Sequence, residues 1–467
     1  MIMPSINKLF CVVMLLALMG GSYSVAVGQT KKDRQKADKL VKTGVTSFDK
    51  KDYRTAVTRF DEAIALNSKS GEAYFRKARA HFALGEYEQA AAAFDLALAN
   101  GHEPMEVYRE RWAAYNKLKK YDEALADVNK VLAAEPKNQG FLVAAADINF
   151  ENGSFMEAAA AYEQIIPTAP NAADLYYKVA VAKSKAGDTE GQAVAAETAI
   201  ARNTQYLAES LQLLGEARFA QKRIPEAIQA YSRALTSKPD KPEPYRHLAE
   251  LYRTQNEIEE GIKTLEKARS LNTMNGEIYM DLSLFYSLAE KTEEAVAAGR
   301  SATTLLPNNA LAHTRLCRAL ATAKKPELAI SSCNTARRIA PDDPETLFYL
   351  ARANSDLGTP SKKAEAEKYY NQALTILQTA ARERPEDPDV HYMLGNVYAD
   401  MQQNSQAVSA YEKALALNPR YTRAQFNIAV IRLNENNKAA ALERYTSLLT
   451  SDKVLAERLK KLIDSRP

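Results

Sequence analysis

Five histidines, His81, His102, His247, His313 and His391, are the residues of this 467-residue chain best suited to ligate a metal or carry a proton. They are scattered, and no two stand at metal-ligand spacing. Each reads as a surface or partly packed imidazole. No G-x-x-x-x-G-K-[ST], G-x-G-x-x-G or G-x-S-x-G stretch occurs, so neither a phosphate cradle nor a nucleophile elbow is indicated. The acidic pairs Asp122-Glu123 and Glu293-Glu294 open helical patterns, where carboxylates suit the positive end of the helix dipole. No catalytic, metal or cofactor site is expected, and the chain reads as a non-enzyme with no small-molecule substrate.

The basic residues give no stronger signal. Lys119-Lys120, Lys324-Lys325 and Lys362-Lys363 sit in turns or at helix ends, and the 62 basic and 58 acidic residues leave a net charge of only +4. That balance gives no reason to expect nucleic acid or an anionic membrane as the partner. Hydrophobic residues at 46%, with only 17 Gly and 18 Pro, predict a folded, helix-rich chain. At this length it is several domains or a repeat array.

A repeat decides between them. In the stretch 388–421, Leu394, Val397 and Tyr398 fall at helical spacing, a polar run from Gln402 to Ser405 follows, and Ala407, Ala410, Tyr411 and Ala414 make a second stripe. Pro419 closes the unit. Gly395 and Ala407 are small where the two helices would cross. The alanine recurs every 34 residues as Ala56, Ala90, Ala124 and Ala158, then as Ala227, Gly261, Ala295 and Ala329, then as Ala407 and Ala441. Aromatics keep step at Phe60, Phe94, Tyr162, Tyr231, Tyr411 and Tyr445. So do closing prolines at Pro136, Pro170, Pro239, Pro307, Pro341 and Pro419. One such hairpin cannot bury both stripes, so it must stack on another.

The pattern resembles the tetratricopeptide repeat, which implies an all-α, right-handed superhelical solenoid of antiparallel helix pairs. Twelve units fit: repeats 1–5 over 37–207, repeats 6–9 over 208–343, an irregular tenth over 344–387, and repeats 11 and 12 over 388–455. A capping helix over 456–467 follows, on a stripe that begins with Val454 and Leu455 and continues through Leu459, Leu462 and Ile463. The fifth unit has Gln192 where the small residue belongs, and in the tenth Thr359-Pro360-Ser361 should lengthen the turn before a helix from about Ala364 to Arg384. A local change in the superhelical path is expected at both. By the same resemblance, first helices line a concave groove that offers Phe75, Arg79, Phe82, Arg109 and Tyr177, then Arg246, Glu250 and Arg253, then Phe348, Arg352, Tyr392 and Phe426. Aromatic and Arg side chains are common interface anchors. No unit pairs a Lys at position five with an Asn at position nine, so the subtype that grips a C-terminal carboxylate in that way is not expected.

Residues 1–28 read as a secretory signal peptide. Lys8 precedes the apolar run Leu9 to Met19, and cleavage after Ala26 or Gly28 would leave a polar leader over 29–36. An uncleaved anchor is the rival reading, against which the apolar run is short. Membrane contact is otherwise not expected. Export places Cys317 and Cys333 in an oxidising compartment, on the two helices of one repeat, either as a disulfide or as two buried thiols. The expectation is a periplasmic or envelope-associated scaffold that binds a protein or peptide partner. The alternative is a regulatory or assembly subunit of a secretion or polysaccharide-handling enzyme system.

Overall fold

The computed structural model describes residues 30–169, 172–272 and 274–466, so the signal segment lies outside the described residues. Among the described residues every regular element is helical, and the chain divides into two compact units between Ala186 and Gly187. The first unit holds α1 (Lys31–Asp49), α2 (Tyr53–Leu66), α3 (Gly71–Ala83), α4 (Tyr87–Ala99), α5 (Pro104–Lys117), α6 (Tyr121–Ala134), α7 (Gln139–Glu151), α8 (Phe155–Ile165) and α9 (Ala172–Ala186). The second opens with α10 (Thr189–Ala201), α11 (Leu207–Ala220), α12 (Ile224–Ser237), α13 (Pro242–Thr254), α14 (Ile258–Leu271), α15 (Gly276–Leu288), α16 (Thr292–Leu305), α17 (Ala310–Thr322) and α18 (Pro326–Ile339). It continues with α19 (Pro344–Leu357), α20 (Pro360–Glu383), α21 (Pro388–Asp400), α22 (Asn404–Leu417), α23 (Thr422–Asn434), α24 (Lys438–Ser451) and α25 (Lys453–Asp464). Within each unit consecutive helices pack on one another.

A turn of one geometry joins each pair. One or two residues past the end of the first helix, the backbone adopts the left-handed conformation at Lys51, Gly85, Lys119, Gly153, Gly187, Lys222, Asn256, Glu290, Lys324, Gly358, Gln402 and Asn436. These positions step by 34 except across the fifth and tenth units. A side chain there costs about 1–2 kcal/mol, part of which Gly would return as lost chain entropy. Lys222 is exposed in such a turn. Lys222→Gly is therefore expected to stabilise the second unit by about 0.5–1 kcal/mol, measured by chemical denaturation.

Across several hairpins inside each unit, residues sixteen apart face one another. A Cβ on Gly395 would lie 2.4 Å from Tyr411 Cε1, and one on Gly44 would lie 2.5 Å from Phe60 Cε1. The bare backbone lets the buried ring lie against the opposite helix. In the ninth unit this same pair of positions holds Cys317 and Cys333, both fully buried and bonded through their sulfurs, with Cα atoms 5.2 Å apart. That separation suits a disulfide. Peptide mapping without reduction should recover residues 317 and 333 as one linked species that separates on reduction; free thiols at both would refute the bond.

Four features depart from the sequence reading. The polar leader ends at Thr30, because that residue and Asp33 form a capping box and α1 begins at Lys31. Thr359-Pro360-Ser361 does not lengthen the tenth turn: Gly358 ends α19, Thr359 caps α20 and Pro360 takes the first helical position, so the extra residues extend a 24-residue helix. Gln192 is buried without a small side chain because its amide donates to the Leu213 carbonyl at 2.8 Å. In α25, Leu459 and Ile463 pack with Phe426, Leu433 and Leu448, whereas Val454 is 77% exposed.

Candidate partner-binding surfaces

In the second unit the first helices of consecutive repeats lie side by side, α15 on α17 and α17 on α19. Their inner faces enclose a cavity of about 540 Å³. The unit curls until its early repeats meet its late ones. Arg253 on α13 donates to Asp389 at 2.9 Å and to Glu250 at 2.6 Å, and Tyr421 donates to Asp389 at 2.7 Å. Asn256 donates to Asp452 at 3.1 Å. Arg420 reaches Gln255, Arg423 reaches the Leu288 carbonyl, and Arg458 reaches Glu290. Burial alone would raise the Asp389 pKa, but the Arg253 charge outweighs it and holds the carboxyl below its ordinary value.

Deeper in the cavity, Arg315 and Arg318 share one carboxylate, Glu345, at 2.6 and 3.1 Å. Burial works against the Glu345 charge, yet the two guanidiniums keep its pKa lowered. Tyr392 stacks on Tyr421 with ring centroids 4.7 Å apart and faces the same space.

The residues assigned to a groove divide into three groups. Phe75, Phe348 and Phe426 are buried and do not line a surface. Phe75 is stacked on His102 at 4.2 Å and set edge-on to Phe94, Phe348 packs against Tyr370, and Arg458 lies over the Phe426 ring at 5.0 Å. Arg246 and Arg253 are committed to ion pairs, Arg246 with Asp281 at 2.6 Å and with Glu277, while Glu250 serves Arg253. Those remaining are partly or fully exposed. In the first unit Arg79 lies over the Phe48 ring and pairs with Glu110 at 3.1 Å, Arg109 pairs with Glu135, and Phe82 packs edge-on to Tyr87. Tyr177 on α9 is half-buried. In the second unit Arg352 is exposed and Tyr392 lines the cavity.

The histidines are structural. Nε2 of His313 bonds the Pro307 carbonyl at 2.9 Å and that of His391 bonds the Pro385 carbonyl at 2.9 Å, each tying a first helix to the loop before it. His81 and His102 bond glutamates, and His247 stacks on Tyr231. No cluster of metal-ligating side chains occurs among the described residues.

The sequence reading also missed the buried pair Arg111 and Asp127 in the first unit. The guanidinium is 8% and the carboxylate 1% exposed, and they are joined through Nε at 2.8 Å and Nη2 at 2.7 Å. Burial would lower the Arg111 pKa, but the bond and charge of Asp127 hold it above its ordinary value. Their spacing of sixteen, the same as that of Gly395 and Tyr411, was the available signal.

Helix pairs stacked edge to edge, joined by one turn geometry and crossing at a small residue, define an α-helical repeat solenoid. Tetratricopeptide repeat models match residues 46–102, 116–183 and 388–421, and a TPR repeat model matches 215–256. The chain is a tetratricopeptide repeat protein. No curated protein sequence matches it significantly. Solved structures it is similar to include yeast Tom70 (16% identity, 91% of this chain and 99% of that one, TM-score 0.38) and the APC/C hetero-tetramer Cut9-Hcn1 (12%, 91% and 96%, 0.36). A third is MamA, at 22% identity over 36% of this chain and 97% of that one, with a TM-score of 0.32.

Proposed function

We propose that the protein is a non-enzymatic interaction scaffold of the bacterial cell envelope, exported by its N-terminal segment and binding a protein partner on the inner faces of its first helices. The protein-binding role follows from the tetratricopeptide repeats themselves. The surface is carried by one observation: in the second unit the first helices jointly line a cavity where aromatic and Arg side chains stay accessible beside a packed core. A surface assembled before binding loses little conformational freedom when a partner docks. The envelope setting rests on the apolar run Leu9 to Met19 and the small residues Ala26 and Gly28 that flank Val27 as a cleavage site.

The groove reading is tested by affinity purification of the tagged full chain from its native cells, comparing wild type with Arg79→Glu, Arg109→Glu and Arg352→Glu. At least one reversal should deplete the same partner that wild type recovers; unaltered recovery by all three overturns it. Arg253 is unsuited to this test, because it ties α13 to Asp389 on α21 and its reversal would also break the contact between early and late repeats of the second unit.

A further inference from the structure

The charges that line the second unit's cavity do not balance. Five arginines face three carboxylates there. Arg315 and Arg318 share Glu345, and Arg253 takes both Glu250 and Asp389. Arg423 has no carboxylate partner among the described residues; its guanidinium donates to the Leu288 carbonyl. A guanidinium carries five N–H donors, so most of this group's capacity is unspent. Burial holds the Arg423 pKa below its ordinary value, and the Arg318 charge pushes in the same direction. Withdrawing cations from water without countercharge is unfavourable, and an arriving carboxylate would relieve it.

The remaining wall indicates the kind of anion. Tyr392 and Met393 offer apolar area and an aromatic face beside the arginines, and about 540 Å³ falls within the range of about 300–1,000 Å³ typical of ligand pockets. Planar, bidentate recognition by guanidinium suits carboxylates. We infer that this cavity is the docking site for a short acidic segment of a protein partner, its carboxylates received by Arg423 and Arg318 with its backbone against Tyr392. This rests on the scaffold reading and names the chemistry of what that scaffold holds.

Fluorescence anisotropy of fluorescein-labelled hexaglutamate titrated with the full chain at low salt tests it, with hexalysine as the control peptide. Hexaglutamate should bind and hexalysine should not. Arg423→Gln and Arg318→Gln should each weaken binding roughly tenfold or more, the loss expected for a hydrogen bond to a charged group. Lys413→Gln, on the exposed face of the second helix α22, should leave it unchanged. Because Arg423 also bonds the Leu288 carbonyl, hydrogen exchange over α15 and α23 reports whether that variant stays folded, and Arg318→Gln provides a substitution away from this contact. Equal binding by wild type and both cavity variants, or binding of inorganic phosphate but not hexaglutamate, overturns the inference. If hexaglutamate fails while partner recovery persists and remains sensitive to Arg79→Glu or Arg109→Glu, only the acidic-segment inference falls and the scaffold stands.

Discussion

Arg111→Ala is expected to destabilise the first unit by about 3–5 kcal/mol. The reason lies in what it leaves behind. Asp127 is 1% exposed on α6, and without the guanidinium its nearest cation is Lys130 at 3.8 Å. A carboxylate there would have to stay charged without adequate solvation or take up a proton. Asp127→Ala should cost less, since Arg111 keeps Asp95 on its outer side. The double replacement Arg111→Met with Asp127→Leu fills similar volume and leaves no charge, and it should lie within about 1 kcal/mol of wild type or above it. Chemical denaturation, with hydrogen exchange followed over residues 104–134, separates the three. A double loss as large as the sum of the two single losses would mean that the pair is not coupled.

Gly395→Val is expected to cost the second unit about 2–3 kcal/mol, in the upper part of the range for overpacking. Backbone propensity argues the other way, because any side chain but proline favours a helix interior over glycine. Packing wins here. The new Cβ alone would stand 2.4 Å from Cε1 and 2.5 Å from Cδ1 of Tyr411, whose ring is 1% exposed and whose hydroxyl donates to Asn396 at 2.8 Å. The ring would have to move and that bond would break. Gly395→Ala should be milder, since Ala78 and Phe94 occupy the corresponding positions of the second repeat and share one core cluster. A loss confined by hydrogen exchange to α21, α22 and their neighbours is the pattern for a solenoid, where each repeat contacts only those beside it. A stabilised Gly395→Ala would show that propensity outweighs the ring contact.

These two sites show what the sequence made legible. Tyr411 belongs to a ladder that recurs at fixed spacing, which was enough to place the all-helical fold; Gly395 was legible only as a small residue at the crossing beside Ala407, and the structure sets the Tyr411 ring, sixteen residues on, against it. Arg111 and Asp127 share that separation but interrupt an apolar pattern only once, and nothing repeats to draw attention to them. The groove was less legible. Position within a repeat identifies the helix face, but Phe348 and Phe426 are covered by neighbours that a position rule does not see, Tyr370 in one case and Arg458 with the α25 core in the other. The Arg253 to Asp389 contact spans 136 residues. It depends on the accumulated rotation of several repeats, which no local spacing encodes. Arg423 is notable for the partner it lacks, and that appears only once the cavity walls are assembled.

The claim on which the rest depends is that the inner, first-helix face receives the partner. Site-specific photo-crosslinking measures this directly: a benzophenone amino acid is placed at Tyr392 on α21, in the cavity wall, or at exposed Lys413 on the second helix of the same repeat, and the full chain is irradiated in its native cells. The account predicts one protein adduct from position 392 that is absent from position 413. Adducts from 413 and none from 392 would contradict it.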